Sequence, residues 1–509
     1  MKSYINAWLP VVSVLAAAIA AMFGYRDTLA EPDMARMVTG VAYGAATGNH
    51  IFAGHHYGIE FSFGYYELLY RLMPESALRN PDYVARFVNN LGIVFTFFFA
   101  LNLGLMLNKL VGRGVAAFSA IGFLFCPLIL PFLSSGHPMI GACAFLFLGC
   151  WLILISIEKK NAYTVAIFFI FACLSLILSL TLRGEVALAF PFVVVAYLVS
   201  AKRQGYLSLS RGMAVCLVML LAFGCFLYFQ RPFVVSEGGA ANSLGEFMSR
   251  YASIKKIARG IGTILEEFGI VSLLLLVLAG LRLKDKANLP LLLACLALII
   301  PSLLFWLPTP SPARHFVIPI LGLYILLGQL WSNRLNGVQP SIVMAILLVL
   351  GNQALAELTR PIIAKGSFTT SGVRLPSQQV PLGFFPLDQQ ANMAHEAALR
   401  AEAIELTAAK PQKLLILSNH LYYTIPRLLA DDPSLRLTPS KVGNFEGFLL
   451  ASPKRKVYFI EKFHYWPKDV LSEVLHANVM SDYPIYVQKV TITPDDKTEI
   501  PVPRQYSIE

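Results

Sequence analysis

The sequence predicts an α-helical polytopic membrane protein with a small C-terminal extracytoplasmic α/β domain. Three observations predict it. Hydrophobic residues make up 56% of the 509 residues and charged residues only 14%, whereas soluble domains are nearer a quarter charged. Mean hydropathy is +0.62. The apolar residues fall in long runs, and a helix needs about 20 of them to cross a bilayer. A single water-soluble globule is thereby excluded. So are disordered and fibrous chains, because the 35 Phe and 30 Pro form no low-complexity tract and no solenoid repeat.

About eleven runs qualify as transmembrane helices. They cover residues 8–24, 87–107, 115–133, 138–157, 163–182, 186–200, 213–229, 267–283, 289–306, 316–331 and 341–358. The first reads as a retained helix and not a cleaved leader. Lys2 is its only flanking charge on the N-terminal side, and Phe23-Gly24-Tyr25 is a poor cleavage site. All seven cysteines (Cys126, Cys143, Cys150, Cys173, Cys216, Cys225 and Cys295) lie inside apolar runs. None has zinc-ligand spacing in a polar loop, so they read as small hydrophobes.

Short-loop Lys and Arg set the orientation. With the N-terminus in the cytoplasm, inside loops carry Lys109/Arg113, Lys159/Lys160, Lys202/Arg203/Arg211, Arg282/Lys284/Lys286 and Arg334. Only Glu158 and Asp285 are acidic there, and all 9 His fall outside. The opposite orientation fails at every short loop. The net charge of +11 is therefore mostly a topology signal, and nucleic acid is not an expected partner.

This arrangement divides the chain into a transmembrane domain (1–359), a linker rich in Ser, Thr, Pro and Gly (360–386), and an extracytoplasmic domain (387–509). Two large outer loops, 25–86 and 230–266, share the outer face with the tail. In the tail, 388–409, 420–430 and 468–477 read as helices. Lys413–Leu417, Lys456–Ile460 and residues 484–492 read as strands. Such alternation suggests an α/β module. Gly443-Asn-Phe-Glu-Gly447 is too short and wrongly spaced for a nucleotide-binding loop.

The chemistry-bearing residues gather on the outer face. Asp27, Glu31 and Asp33 crowd just beyond the first run. Pro32 marks a turn into an amphipathic helix, whose apolar stripe is Met34, Met37, Val38, Val41 and Ala42. A carboxylate at its start can accept a proton from a substrate hydroxyl, or can simply complement the helix dipole. Further along the loop, His55, His56 and Glu60 admit a divalent metal as a possible cofactor. Adjacent histidines seldom both face one ion, so substrate hydrogen bonding or interfacial packing is the favoured reading.

The fifth and sixth runs are joined by Thr181-Leu-Arg-Gly-Glu185, followed by Pro191. Arg183 and Glu185 are costly in lipid, so they either pair with each other or face a polar cavity. Before the tenth run stands Ser311-Pro-Ala-Arg-His-Phe-Val-Ile-Pro319. Arg314 and His315 enter the membrane at its outer edge, where an arginine would hold a phosphate by paired N–H donors; headgroup snorkelling is the alternative. In the second outer loop, Arg250, Lys255, Lys256 and Arg259 interleave with Tyr251, Ile254, Ile257 and Ile261. That pattern makes a basic amphipathic surface for an anionic lipid or a lipid-linked phosphate.

Taken in order, these parts resemble the GT-C superfamily of membrane glycosyltransferases, over residues 1 to about 360. The motifs are the Glu31-Pro-Asp33 cluster after the first run, the large first outer loop, the Leu-Arg-Gly-Glu turn with Pro191, and Arg314 to Pro319. The branch that looks most similar is the bacterial protein mannosyltransferase-like and Rgt-like one. The resemblance implies sugar transfer from a polyprenyl-phosphate carrier to a glycan, lipid or protein acceptor of the cell envelope, on the outer face of the inner membrane. Asp33 matches the family's catalytic base best, with Asp27 and Glu31 in reserve. The more usual paired acids are here split by Pro32. Arg314, with Arg183, His315 or Lys256, would neutralise the departing phosphate, and a single displacement would invert the anomeric centre. Some branches of the family use a metal and others do not.

Three other classes share the broad pattern. A flippase or transporter would carry charged or broken helices near the midplane, whereas here Glu185, Glu266, Glu267 and Glu357 sit at outer ends. An O-antigen ligase or polymerase is disfavoured by the acidic cluster directly after the first run. A non-catalytic envelope assembly protein, with the tail as a binding module, is the third.

Overall fold

In the computed structural model the described residues are 13–19, 63–74, 77, 81–126, 129, 136–206, 208–230, 257, 261, 264, 268–280, 289–307, 313–331 and 337–365. In the tail they are 413–417, 428, 432, 434–442, 445–453, 456–460, 485–487 and 505–506. The helices are α1 (Phe63–Leu72), α2 (Pro81–Leu110), α3 (Arg113–Leu124), α4 (Pro138–Ser156), α5 (Ala162–Leu182), α6 (Phe190–Arg203), α7 (Leu209–Gln230), α8 (Ile270–Gly280), α9 (Leu289–Trp306), α10 (Val317–Leu330) and α11 (Val338–Lys365). Short 3-10 turns, Gly184–Ala189 and Ala313–Phe316, precede α6 and α10. Residues 13–19 are helical too, and their Ala16 and Ala17 join the main core.

The protein is a polytopic helical bundle. Five stretches are long and apolar enough to cross a membrane: Arg86–Leu110, Pro138–Ser156, Ala162–Leu182, Gly184–Arg203 and Leu209–Phe229. Four shorter apolar helices accompany them. Each described helix from α2 to α11 falls on a run expected from the sequence. The third run ends early, at Leu124 and not near 133. Pro127 follows closely, and a proline disfavours helical geometry in the residue before it.

Helix contacts rely on small residues and short polar side chains, as expected where lipid removes the hydrophobic drive between helices. Ser175 and Ser179 of α5 donate to the carbonyls of Phe145 and Ala142 on α4, at 2.8 and 2.7 Å. Asn102 of α2 donates to Ala144 of α4, and Ser119 of α3 donates to Tyr324 of α10. At Gly322 of α10 an added Cβ would lie 2.5 Å from Ile299 of α9, so a larger residue would force these helices apart.

One cap joins distant parts of the chain. Asn352 of α11, 7% exposed, accepts from the N–H groups of Val271 and Ser272 at 2.9 and 3.2 Å. It also donates to Ser272 Oγ at 2.7 Å. The orphan donors at the start of α8 are thus satisfied by a side chain 80 residues away. Gly269, at φ +90°, passes so close that a Cβ would lie 2.3 Å from Asn352. Asn352→Ala strands both donors, and is expected to cost about 2 kcal/mol. The measurement is thermal unfolding in detergent; an unchanged Tm would show that the cap contributes nothing.

The two ends of the bundle differ chemically. At one end Lys109 pairs with Glu158, Arg203 donates to the Leu110 carbonyl, and Arg211 donates to the carbonyls of Ile157 and Lys159. Arg203 thus bonds the last carbonyl of α2 and Arg211 the C-cap carbonyl just after α4, which is favourable at helix C-termini. The loops gathered here are ones the sequence assigns to a single side of the membrane. Helix α5 has 21 residues, so it carries the chain roughly 30 Å to the other end. The polar site described below lies there.

The described tail is a six-stranded mixed sheet in the order β2-β3-β4-β1-β5-β6. Strand β1 (Lys413–Leu417) runs parallel to β4 (Lys456–Ile460) and β5 (Ile485–Val487). Strands β2 (Arg436–Val442) and β3 (Phe445–Ala451) form an antiparallel pair, and β6 is Gln505–Tyr506. The β2–β3 pair was not expected from the sequence. Val442 pairs with Phe445, so Gly443-Asn444 alone connects them, a two-residue hairpin connection. The expected helices 388–409 and 468–477 lie outside the described residues, as does 420–430 apart from residue 428.

Candidate functional site

Helix α5 ends at Leu182 because Arg183 turns extended, at φ −154° and ψ 107°. Its N–H still closes the last turn onto Ser179. The chain then winds through the 3-10 turn Gly184–Ala189 into α6, with Pro191 in the first turn of α6, where its missing N–H costs little. This break sets Arg183 and Glu185 side by side. Arg183 Nε donates to Glu185 Oε1 at 2.9 Å.

The other carboxylate oxygen of Glu185 meets a residue 130 positions away. His315 Nδ1 lies 2.6 Å from Glu185 Oε2. His315 sits on the second 3-10 turn, just before α10. Its ring stacks on Trp306, the last residue of α9, with centroids 3.9 Å apart and planes 22° apart. Phe305 meets Trp306 edge-on, with centroids 4.7 Å apart. The Glu185 turn packs among α4, α5, α6 and α9, and the His315 turn packs on α9 and α10.

The charges are nearly enclosed. The side chains of Arg183, Glu185 and His315 are 11%, 8% and 11% exposed. A lone carboxylate there would be strongly disfavoured by desolvation. Two cationic or proton-donating partners, one on each oxygen, offset that cost. An ionised carboxylate only accepts, so the Glu185–His315 contact calls for a hydrogen on His315 Nδ1.

Nearby, at the start of α4, the chain makes a tight approach. Gly136, at φ +71°, passes so near α2 that a Cβ would lie 2.2 Å from the Val88 carbonyl oxygen. Tyr65 of α1, fully buried, donates to the Gly136 carbonyl at 2.6 Å. Burial pushes the Tyr65 phenol well above its usual range, so it stays a donor at physiological pH.

Of the residues expected at the site, Arg183, Glu185 and His315 come together. Arg314 lies on the same 3-10 turn as His315. Asp27, Glu31, Asp33, His55, His56, Glu60, Lys255 and Lys256 lie outside the described residues. Trp306 was not singled out from the sequence. Its signal was position: an aromatic residue ending an apolar run directly before the Arg314-His315 segment.

The fold matches ArnT from Cupriavidus metallidurans bound to undecaprenyl phosphate, with TM-score 0.50 and 15% identity, over 83% of this chain and 85% of that one. ArnT is a GT-C glycosyltransferase. ArnT from the same organism in the apo state is similar at TM-score 0.49 and 16% identity, over 83% and 84% of the two chains. No protein-family model matches the chain, and no curated protein matches it.

Proposed function

We propose that this protein is an inverting glycosyltransferase that takes a sugar from a polyprenyl-phosphate carrier. It transfers the sugar to a glycan, lipid or protein of the cell envelope. The observation that carries the reading is the enclosed Arg183–Glu185–His315 cluster at one end of a GT-C-type bundle. Two separate segments meet there, one read from the sequence as pairing or facing a polar cavity and the other as suited to a phosphate.

The residues divide the work as follows. The carrier's isoprenoid tail lies against the apolar helices, and its phosphate sits at the bundle end. Arg314 and Arg183 stabilise the negative charge that grows on the phosphate oxygen as the bond to the anomeric carbon breaks. Such preorganised charge is usually the largest contribution to rate. Asp33 takes the proton from the acceptor hydroxyl. The hydroxyl oxygen attacks from the face opposite the phosphate, so one displacement inverts the centre.

The proposal sets the protein in the inner membrane with about eleven spans, an N-terminus in the cytoplasm, and its C-terminal domain (387–509) in the periplasm. The belt of Lys109, Arg203 and Arg211 at the opposite end of the bundle from Glu185 supports that direction.

The test is transfer by the purified full chain in lipid nanodiscs. Undecaprenyl-phosphate-linked sugars serve as donors, and envelope glycan and lipid fractions as acceptors. Release of undecaprenyl phosphate together with a glycosylated acceptor is expected. Failure of every carrier-linked donor, with the protein folded, would overturn the reading.

A further inference from the structure

We propose that Glu185 is a positioning residue for His315: it fixes that ring's protonation at Nδ1 and its orientation, and does not itself touch substrate. The inference rests on the sugar-transfer reading for its catalytic consequence, but its structural content stands apart from it.

The geometry assigns the role. Both oxygens of Glu185 are engaged within the protein, one by Arg183 at 2.9 Å and one by His315 at 2.6 Å. The side chain is 8% exposed, which leaves a carboxylate of this kind little surface to offer a sugar hydroxyl. His315, in turn, is held from two directions. Glu185 grips Nδ1 from the turn after α5, and the Trp306 indole supports the ring face from the end of α9. A ring fixed at one nitrogen and one face has no remaining freedom to flip. The same logic applies wherever a carboxylate orients an imidazole by holding its Nδ1 hydrogen. Three segments that are far apart in sequence thus set the direction in which one imidazole presents its other nitrogen.

Arg183 has a second effect here. Its guanidinium occupies the opposite carboxylate oxygen, so Glu185 is fixed before it meets His315. The three side chains therefore act as one unit, and a change at Glu185 reaches Arg183 as well as His315.

The experiment combines a spectroscopic readout with kinetics, on the full chain in nanodiscs. Nitrogen-15 histidine labelling reports which ring nitrogen carries hydrogen, and the His315→Gln variant identifies the His315 signals. In the wild type Nδ1 is expected to be protonated. In Glu185→Gln the Nδ1-protonated fraction should fall severalfold. Unchanged His315 signals in that variant would overturn the proposal.

In sugar transfer, Glu185→Gln should lower kcat by roughly 10–100-fold, as for other carboxylates that orient an imidazole, with KM within about twofold. The effect should shrink severalfold when His315→Gln is already present, leaving only what passes through Arg183. A rise in KM with kcat intact, or an undiminished loss in the His315→Gln background, would show that Glu185 acts through substrate or Arg183 and not through His315, and would overturn the proposal. If the wild type transfers no sugar, the functional reading fails, and the nitrogen-15 result still decides the positioning role.

Discussion

Asp33→Asn is expected to lower sugar transfer by about 10²–10⁴-fold, the usual contribution of a positioned general base. The variant keeps the size and hydrogen-bonding shape of the side chain but cannot accept the acceptor's proton. Membrane insertion and thermal stability should be unchanged, because the residue heads a surface helix in the sequence reading. Binding of the carrier lipid should also be unchanged, since the phosphate is held by arginines. The discriminating comparison is with Glu31→Gln and Asp27→Asn. If either of these abolishes transfer while Asp33→Asn does not, the base is reassigned within the same acidic cluster. If all three transfer at the wild-type rate, no carboxylate after the first run is the base.

The second large effect is on stability. Glu185→Ala removes the carboxylate that Arg183 and His315 share, in a site where the side chains are 8–11% exposed. Removing one partner of a buried pair leaves an uncompensated charge and costs about 3–5 kcal/mol. The double change Glu185→Leu with Arg183→Leu should recover much of that loss, because an apolar replacement leaves no stranded guanidinium. Thermal unfolding in detergent measures both. Equal Tm values for wild type and Glu185→Ala would mean that water reaches the cluster freely and the pair is energetically idle.

Much of this architecture was legible in the sequence, for a physical reason. A bilayer demands long apolar helices with internally satisfied backbones, so α2, α4, α5 and α7 announced themselves by length and hydropathy. Arg183 and Glu185 stood out because charge at the end of an apolar run is costly and needs an explanation. The sequence offered two explanations, pairing or a polar cavity, and the structure supplies the pairing. What the sequence could not supply was the third member. His315 looked like a phosphate ligand because Arg314 stands next to it, whereas its Nδ1 goes to Glu185 across 130 positions. Contacts of that range have no local signature. Asn352 was overlooked for the opposite reason: an amide inside an expected span was itself the signal that a partner was needed. In the tail, Pro439 within β2 and the Gly443-Asn444 pair hid a hairpin. Proline weakens a strand pattern, and the glycines drew attention as a possible phosphate loop instead.

In the proposed mechanism the cluster and the acidic loop form one carrier-phosphate site. A structure of the full chain with undecaprenyl phosphate bound tests it most directly. The phosphate is expected within hydrogen-bonding distance of Arg183 or Arg314, with the Asp33 carboxylate facing the same cavity. A phosphate bound instead among Lys109, Arg203 and Arg211, or an Asp33 turned to the opposite side of the membrane, would contradict it.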